Sequence, residues 1–364
     1  MSATEHCLRA GPAPSSPRAR SGQRGMSIIE LMVGLVVALI VGVAASSSAV
    51  MFTASQRQGI GVGGVAVNVN TALAAMKNDA ATAGLGFFGD SRYLCSSLNL
   101  GLGATAHWDG TSFAPVRITR QGGIDRVDVM QASRVESGAN VLLALPSTGA
   151  TASLKSFLPA AVGDAVLLSP EVAGTPCVVR TVTAVAASTV DTPQQLTFAA
   201  GGAHNDASFA ANPTFSDAGG GVTLLGQLRW NRYRMDGTNL VLERPLDGAS
   251  AVLARNVIAF RAQYGASSTV PTSRTLETWE DATGTFAALD AAAIARVRAV
   301  RVGVVVRSPQ PEKPNSSGVC EASLAKPQLF GTEVEPDVPD WRCYRFRSAV
   351  LVIPLRNLVL GIRT

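Results

Sequence analysis

Residues 24–45 read RGMSIIELMVGLVVALIVGVAA, and from Met26 to Ala45 the only charged residue is Glu30. An α-helix rises about 1.5 Å per residue, so this apolar run would be about 30 Å long. That length matches the hydrocarbon core of a bilayer. The sequence therefore predicts a helix that spans a membrane over residues 26–45.

Glu30 distinguishes three interpretations of this run: a secretory signal, an uncleaved anchor, or a segment exposed by removal of a leader on its cytoplasmic side. A carboxylate inside an apolar segment costs about 2.5 kcal/mol or more, and the first two have no use for it. Cleavage after Gly25 would make Met26 the N-terminus and Glu30 the fifth residue. The carboxylate could then neutralise the new α-amino group, in the same chain or in a neighbouring subunit, since paired charges are tolerated better than single ones.

The segment Arg24–Leu31 resembles the processing motif of type IV prepilins. The resemblance implies that a membrane prepilin peptidase cleaves after Gly25 and methylates the new amine of Met26. It also implies that Glu30 docks the subunit into a growing filament. Two positions depart from the usual pattern, because Phe is commoner than Met26 and Pro is commoner than Ser47.

Residues 1–25 are rich in Pro, Ser and Arg and are predicted to be a prepilin leader that takes no part in the fold. They carry four Arg and one Glu, which leaves the rest of the chain a net charge of +2 out of +5. Because positive and negative charges nearly cancel in the rest of the chain, its net charge does not indicate binding to nucleic acid. The Arg cluster before the span predicts a cytoplasmic N-terminus and an exported body.

The helix is expected to continue beyond the span to about residue 85. Residues 59–64 read GIGVGG, and each Gly weakens a helix by about 1 kcal/mol relative to Ala, so we expect a break or a soft section there. Leu73, Met76 and Ala80 then recur at helical spacing. The same glycines fit the G-x-G-x-x-G fingerprint of dinucleotide sites, but no strand precedes them, so no cofactor is predicted.

From residue 86 to residue 364 the pattern favours a β-rich globular domain, because short Val-rich runs alternate with turn residues. The strand candidates are Arg126–Gln131, Ala165–Leu168, Cys177–Val185, Gln195–Phe198, Val222–Met235, Leu240–Arg244, Val257–Tyr264, Val297–Arg307 and Tyr344–Ile353. Asp236-Gly237 predicts the turn of a hairpin. Asp290 predicts the N-cap of a short helix, and Arg298 and Arg301 are expected on the solvent face of the following strand.

Four cysteines remain after the leader, which contains Cys7. They permit three pairings if the body is exported, and they could be reduced thiols in a cytosolic protein. Cys320 and Cys343 bracket a loop rich in Pro and acidic residues, so we expect a disulfide there. Cys95 would then pair with Cys177.

Several segments of the chain resemble the PilW-like minor pilins of type IV pili. They are Glu30–Leu35, Ala83–Gly89, Arg232–Gly237, Gln263–Gly265, Arg301–Ser308 and Val352–Leu358. The resemblance implies an α+β, pilin-like fold, with a long N-terminal helix over residues 26–85 followed by a mainly antiparallel β-domain. It implies a low-abundance subunit that primes pilus assembly, lies at or near the tip and supports adhesion and twitching motility.

The implied partners are the prepilin peptidase, other minor pilins, the major pilin, a tip adhesin and an inner-membrane assembly platform. The protein would cross the inner membrane once, with a periplasmic body, before it enters the pilus at the cell surface. A minor pseudopilin of a type II secretion system, which has the same leader and a similar body, is the alternative.

The sequence offers little for an enzyme. His107 and His204 have no second ligand at zinc spacing, and each is expected at the surface or in a loop. Motifs typical of nucleophile elbows, phosphate loops and zinc proteases do not occur. We therefore expect neither catalytic residues, metal nor cofactor.

Overall fold

The computed structural model describes residues 27–87, 95–134, 140–172, 174–267, 273 and 275–360, with the backbone alone at 50–68 and 359–360. The cleavage-site residues Gly25 and Met26 lie outside these ranges. The chain divides into two units, residues 1–58 and residues 59–364, which are described separately.

A single long helix, α1, covers Ile28–Thr82. Its backbone remains helical through residues 59–64, so the expected break is not found. Gly weakens a helix, but unlike Pro it keeps the backbone N–H that continues the hydrogen-bond ladder, so a short Gly-rich stretch can stay helical within a long helix. A softer section there stays a prediction.

The second unit holds the strands. The first eleven are β1 (Ser97–Leu102), β2 (Thr105–Ser112), β3 (Val116–Gln121), β4 (Ile124–Ala132), β5 (Asn140–Leu142), β6 (Thr151–Leu154), β7 (Ala165–Ser169), β8 (Cys177–Thr181), β9 (Ala184–Ala186), β10 (Gln194–Thr197) and β11 (Gly221–Gly226). The rest are β12 (Leu228–Asp236), β13 (Asn239–Arg244), β14 (Ala249–Arg255), β15 (Val257–Ala266), β16 (Thr278–Glu280), β17 (Val297–Arg307), β18 (Gln328–Leu329), β19 (Thr332–Glu333) and β20 (Phe346–Pro354). Two short helices, α2 (Ala291–Arg296) and α3 (Arg356–Leu360), complete the elements with 3₁₀ turns at Gly284–Phe286 and Trp341–Cys343.

The strands form sheets of six, five, four, three and two strands, with orders β2-β1-β8-β7-β11-β5, β14-β13-β12-β4-β3, β16-β15-β17-β20, β6-β10-β9 and β18-β19. All pairs are antiparallel except β1 with β8. The fold is therefore α+β, with a long apolar N-terminal helix followed by a mainly antiparallel β-domain, as the sequence predicted.

The largest hydrophobic core joins the C-terminal part of α1 to the five-stranded and four-stranded sheets. Leu73, Met76 and Ala80 are buried there, which confirms the helical spacing read from the sequence. Of two further cores, one joins the six-stranded sheet to the five-stranded sheet, and the other joins the six-stranded sheet to the three-stranded sheet.

Most predicted strands are confirmed, and three predictions are wrong. The run Cys177–Val185 is two strands, β8 and β9, which belong to different sheets. The run Val222–Met235 is two strands, β11 and β12, because Gly226 takes a φ of +67° and the chain passes to another sheet. Arg298 is not on the solvent face. It is 4% exposed, and its guanidinium donates to the Ser273 carbonyl oxygen at 2.6 Å.

The capped helix is confirmed. The carboxylate of Asp290 accepts from the N–H of Ala293 at 2.7 Å, which satisfies one of the unpaired donors at the start of α2.

Candidate functional site

The N-terminal part of α1 is apolar on all sides and exposed. Ile28–Ala49 is long and apolar enough to cross a membrane, with a mean hydropathy of 2.7 and no residue buried in the structure. Ile28 is 80% exposed and Leu39 is 61% exposed. A helix that is hydrophobic all round belongs in a lipid phase or in the interior of a larger assembly.

Glu30 lies in the first turn of this helix and is exposed. A carboxylate in the first turn interacts favourably with the helix dipole. Within the part of the chain that the structure describes, its side chain makes no hydrogen bond and no ion pair. Glu30 therefore offers a negative charge to a group outside these residues.

The C-terminal part of α1 is attached to the five-stranded sheet through Asp79. Its carboxylate accepts from Asn231 Nδ2 at 2.5 Å, from Gln131 Nε2 at 3.2 Å and from the Tyr233 hydroxyl. Thr82 also bonds to the Gln131 side chain. Because three donors converge on one half-buried carboxylate, this contact fixes how the helix meets β4 and β12.

The same contact changes the acidity of Tyr233. Burial of its ring raises the pKa of the hydroxyl far above its usual range, and the neighbouring Asp79 carboxylate raises it further. The hydroxyl thus stays protonated and donates to Asp79. Sequence analysis missed this contact. A signal was present, since Asp79 follows Met76 by three residues on a stripe that is otherwise apolar.

Both expected disulfides are present in the structure. Cys95 is joined to Cys177 at an S–S distance of 1.98 Å, and Cys320 to Cys343 at 2.03 Å. The chain-entropy estimate gives about 4 kcal/mol for the first loop and about 3 kcal/mol for the second. The second bond closes the segment that carries β18 and β19.

The two histidines of the body differ. His107 is exposed on β2, with its ring 5.4 Å from that of Trp230. His204 lies in a loop between β10 and β11, one of its two expected places, but it is buried there, with 7% of its surface exposed. Burial lowers its pKa, and its Nδ1 lies 2.7 Å from the Gly101 carbonyl oxygen. The neutral imidazole thus connects the loop that carries His204 to the end of β1 at Gly101.

A cleft of about 680 Å³ lies beside α1 and is lined by Asn78, Asp79, Arg229 and Arg244, among others. Asp79 is already bonded to three donors. The described residues contain no group of three His, Cys, Asp or Glu side chains that could hold a metal ion. The exposed apolar part of α1, with Glu30 in its first turn, is a feature that calls for a partner.

Two protein families match the chain. The family described as type IV pilus-assembly protein W matches residues 228–357, and the prokaryotic N-terminal methylation motif matches residues 20–46. No curated protein matches. Among solved structures, a type IV-like pilin from Thermus thermophilus is 10% identical with a TM-score of 0.34, over 80% of this chain and 96% of that chain.

The family matches indicate a structural subunit rather than an enzyme. The methylation motif implies processing by a prepilin peptidase and assembly with other pilins, and the apolar helix fits a membrane-anchored pilin. The two family matches together support a PilW-like type IV pilin with a prepilin-type methylation motif at its N-terminus.

Proposed function

We propose that this protein is a minor pilin that primes assembly of a type IV pilus and lies at or near its tip, where it supports adhesion and twitching motility. The observation that carries the proposal is the methylation motif over residues 20–46 in a chain whose residues 228–357 match the pilus-assembly family. The match to a pilus-assembly family favours a pilus over a type II secretion filament.

In this proposal the peptidase cleaves between Gly25 and Met26 on the cytoplasmic side and methylates the new amine. Residues 26–45 hold the subunit in the inner membrane with its body in the periplasm. The body then meets the other minor pilins, the major pilin, a tip adhesin and the assembly platform.

Glu30 has the role of docking residue. Its carboxylate is exposed in the first turn of α1 and unpaired within the described residues. In the apolar interior of a filament, a protonated or methylated α-amino group is the group that would neutralise it best. The charge that is unfavourable in a lone subunit then favours assembly.

The first test is the mass of the intact N-terminus of protein from membranes with and without the prepilin peptidase. We expect a start at N-methylated Met26 only when the peptidase is present. Gly25→Val should block cleavage. Gly34→Ala is the matched control, because a Cβ at Gly34 would meet nothing within 4 Å. A peptidase-independent start near residues 45–50 would contradict the proposal.

The second test separates the pilus from the secretion filament. Deletion of the gene should remove surface pili and twitching, and the protein should be present in sheared pili at far lower amounts than the major pilin. Loss of protein secretion with normal piliation would favour the pseudopilin instead.

A further inference from the structure

The strand β20 forms an open edge of the four-stranded sheet. It pairs with β17 along Phe346–Pro354 without a register shift. Among the residues that the structure describes, no strand pairs with its other side. A long, regular and unpaired strand is a template for another strand, and stable proteins usually cover or blunt such an edge.

The hydrogen bonds at both ends of the ladder show which residues face outward. Leu355 N donates to Arg298 O at 2.9 Å, and Ser308 N donates to Arg345 O at 2.8 Å. Bonded residues alternate in an antiparallel pair, so the odd-numbered residues of β20 bond to β17. The remaining residues direct their N–H and C=O groups to the open edge, and we call them the outward row. The outward row consists of Phe346, Ser348, Val350, Val352 and Pro354, the last of which offers a carbonyl group but no N–H.

The outward row is apolar at its centre and carries no charge. Val350 is 52% exposed and Val352 is 46% exposed. The strand β14 is also a sheet edge, and its Val252 is 47% exposed. The pairing of β14 with β13, however, is shifted at Leu240, and such irregularities discourage edge-to-edge association. The pairing of β20 with β17 has no such shift, and the one proline of its open edge, Pro354, lies at the last position of the strand.

The β18–β19 hairpin forms a wall beside the outward row. It packs on Gly303, the partner of Val350 in β17, where an added Cβ would lie 2.6 Å from Leu329 Cδ1. Phe330 holds a φ of +54°, and its ring lies 4.4 Å from the Arg301 guanidinium. A non-glycine residue in this region of φ is strained and is held by its surroundings.

The hairpin is also tied to β20 itself. Ser348 Oγ donates to the Gln328 carbonyl oxygen at 2.8 Å. The Cys320–Cys343 disulfide closes the segment that carries the hairpin. Val350 and Val352 therefore lie in a shallow groove with a fixed wall on one side and an open strand edge on the other.

We propose that β20 receives an extended strand from a different protein of the filament. The backbone of that strand would complete the ladder at the outward row, and its alternate apolar side chains would pack on Val350 and Val352 beside the hairpin. Regularly spaced N–H and C=O groups match only an extended polypeptide, and the uncharged row fits apolar residues. This inference rests on the proposed function, in which the protein is a minor subunit with few copies of itself as neighbours. The strand that pairs with β20 is therefore expected to come from a different protein.

The test uses the full-length protein expressed in its own cells. Val350→Lys with Val352→Lys places two charges on the outward row, and Val252→Lys places one on β14 at nearly equal exposure. Each variant is checked for N-terminal cleavage and for resistance of the body to protease, and its amount in sheared pili is then measured. We expect at least a tenfold loss for the double variant and wild-type amounts for Val252→Lys.

A photo-crosslinking amino acid at Val350 or at Val252 identifies the neighbour in the cell. We expect a crosslink from position 350 to one defined segment of another pilus protein, and none from position 252. Wild-type incorporation of the double variant would overturn the proposal, as would crosslinks to second copies of this chain or equal yields at both positions. Absence of the wild-type protein from pili would count against the proposed function instead, so the two failures are distinguishable.

Discussion

Two carboxylates of α1, Glu30 and Asp79, differ in how their charges are satisfied. Asp79 accepts from Asn231, Gln131 and Tyr233 within the folded body. Glu30 is exposed on an apolar stretch and, within the described residues, has no donor. One carboxylate is satisfied inside the fold and the other calls for a group from outside it.

The surrounding helix differs in the same way. Around Asp79 the apolar residues form one stripe, with Leu73 and Met76 buried against the sheets. Around Glu30 they cover every side, and none is buried. An apolar stripe is completed by folding of one chain, whereas an apolar cylinder is completed only by lipid or by other chains. The part of α1 around Asp79 therefore contributes to the stability of the body, whereas the part around Glu30 presents a surface for lipid or for other chains.

The largest expected effect comes from Glu30→Ala. We expect the variant to be cleaved and folded but to be reduced at least tenfold in sheared pili, since the α-amino group in the filament then lacks its partner. Immunoblots of sheared and membrane fractions measure this. Glu30→Asp, which keeps the charge on a shorter side chain, should restore part of the incorporation. Normal incorporation of Glu30→Ala would mean that this carboxylate has no docking role.

Removal of the other carboxylate, Asp79, should affect the stability of the body rather than assembly. Asp79→Ala leaves three donors without their acceptor, and each unsatisfied buried donor costs about 1–3 kcal/mol. We expect a loss of about 3 kcal/mol in the free energy of unfolding of the body, measured by chemical denaturation, with N-terminal cleavage unchanged. Lys77→Ala, on an exposed position of the same helix, should change it by less than about 0.5 kcal/mol. Equal effects of the two substitutions would contradict the comparison.

The sequence predicted the parts of this fold that depend on local pattern. β17 has the predicted bounds Val297–Arg307, and the β12–β13 hairpin turns at Asp236-Gly237. The methylation motif over residues 20–46 is likewise a run of adjacent residues, so its resemblance to the prepilin motif could be recognised from the sequence. Both cysteine pairs could be proposed because four cysteines allow few arrangements.

What the sequence did not predict depends on contacts between distant segments. β2 was missed because its residues Thr105–Ser112 are almost all exposed and show no apolar alternation. Arg298 was placed on the wrong face because two of the groups that receive its guanidinium, the Ser273 carbonyl oxygen and the Ser267 hydroxyl, lie 25 and 31 residues earlier in the chain. The burial of His204 was not predicted for the same reason, since Gly101, whose carbonyl oxygen contacts its ring, lies 103 residues away. No local pattern contains such partners.

The contact between Tyr233 and Asp79 can be tested through the pH dependence of the stability of the body. Burial and then Asp79 raise the pKa of Tyr233 in the folded state, whereas an unfolded Tyr titrates near pH 10. Its contribution to stability is therefore present below about pH 10 and lost as pH rises further, by about 1.4 kcal/mol per pH unit for one proton. Denaturation at pH 9–11 should show a slope that is shallower in Tyr233→Phe, by about 0.7 kcal/mol per pH unit on average over this range.

Tyr264 provides the control for this slope. Burial is the main cause that raises its pKa, and its hydroxyl is bonded to the backbone of Ile118 rather than to a carboxylate. Tyr264→Phe should also make the slope shallower. Only Tyr233→Phe, however, should reduce the loss of unfolding free energy that Asp79→Ala causes. Additive losses in Asp79→Ala and Tyr233→Phe would contradict direct coupling between the two side chains.

The smallest expected effect lies between the two carboxylates, at residues 59–64. The backbone there is helical, yet each Gly weakens a helix by about 1 kcal/mol relative to Ala. We expect these amides to exchange hydrogen faster than those of residues 69–80, and Gly63→Ala to slow their exchange about fivefold. Ala66→Gly is the reverse control and should speed it. Uniform exchange along residues 59–80 would mean that the glycines do not soften the helix, and that the two parts of α1 differ in their side chains alone.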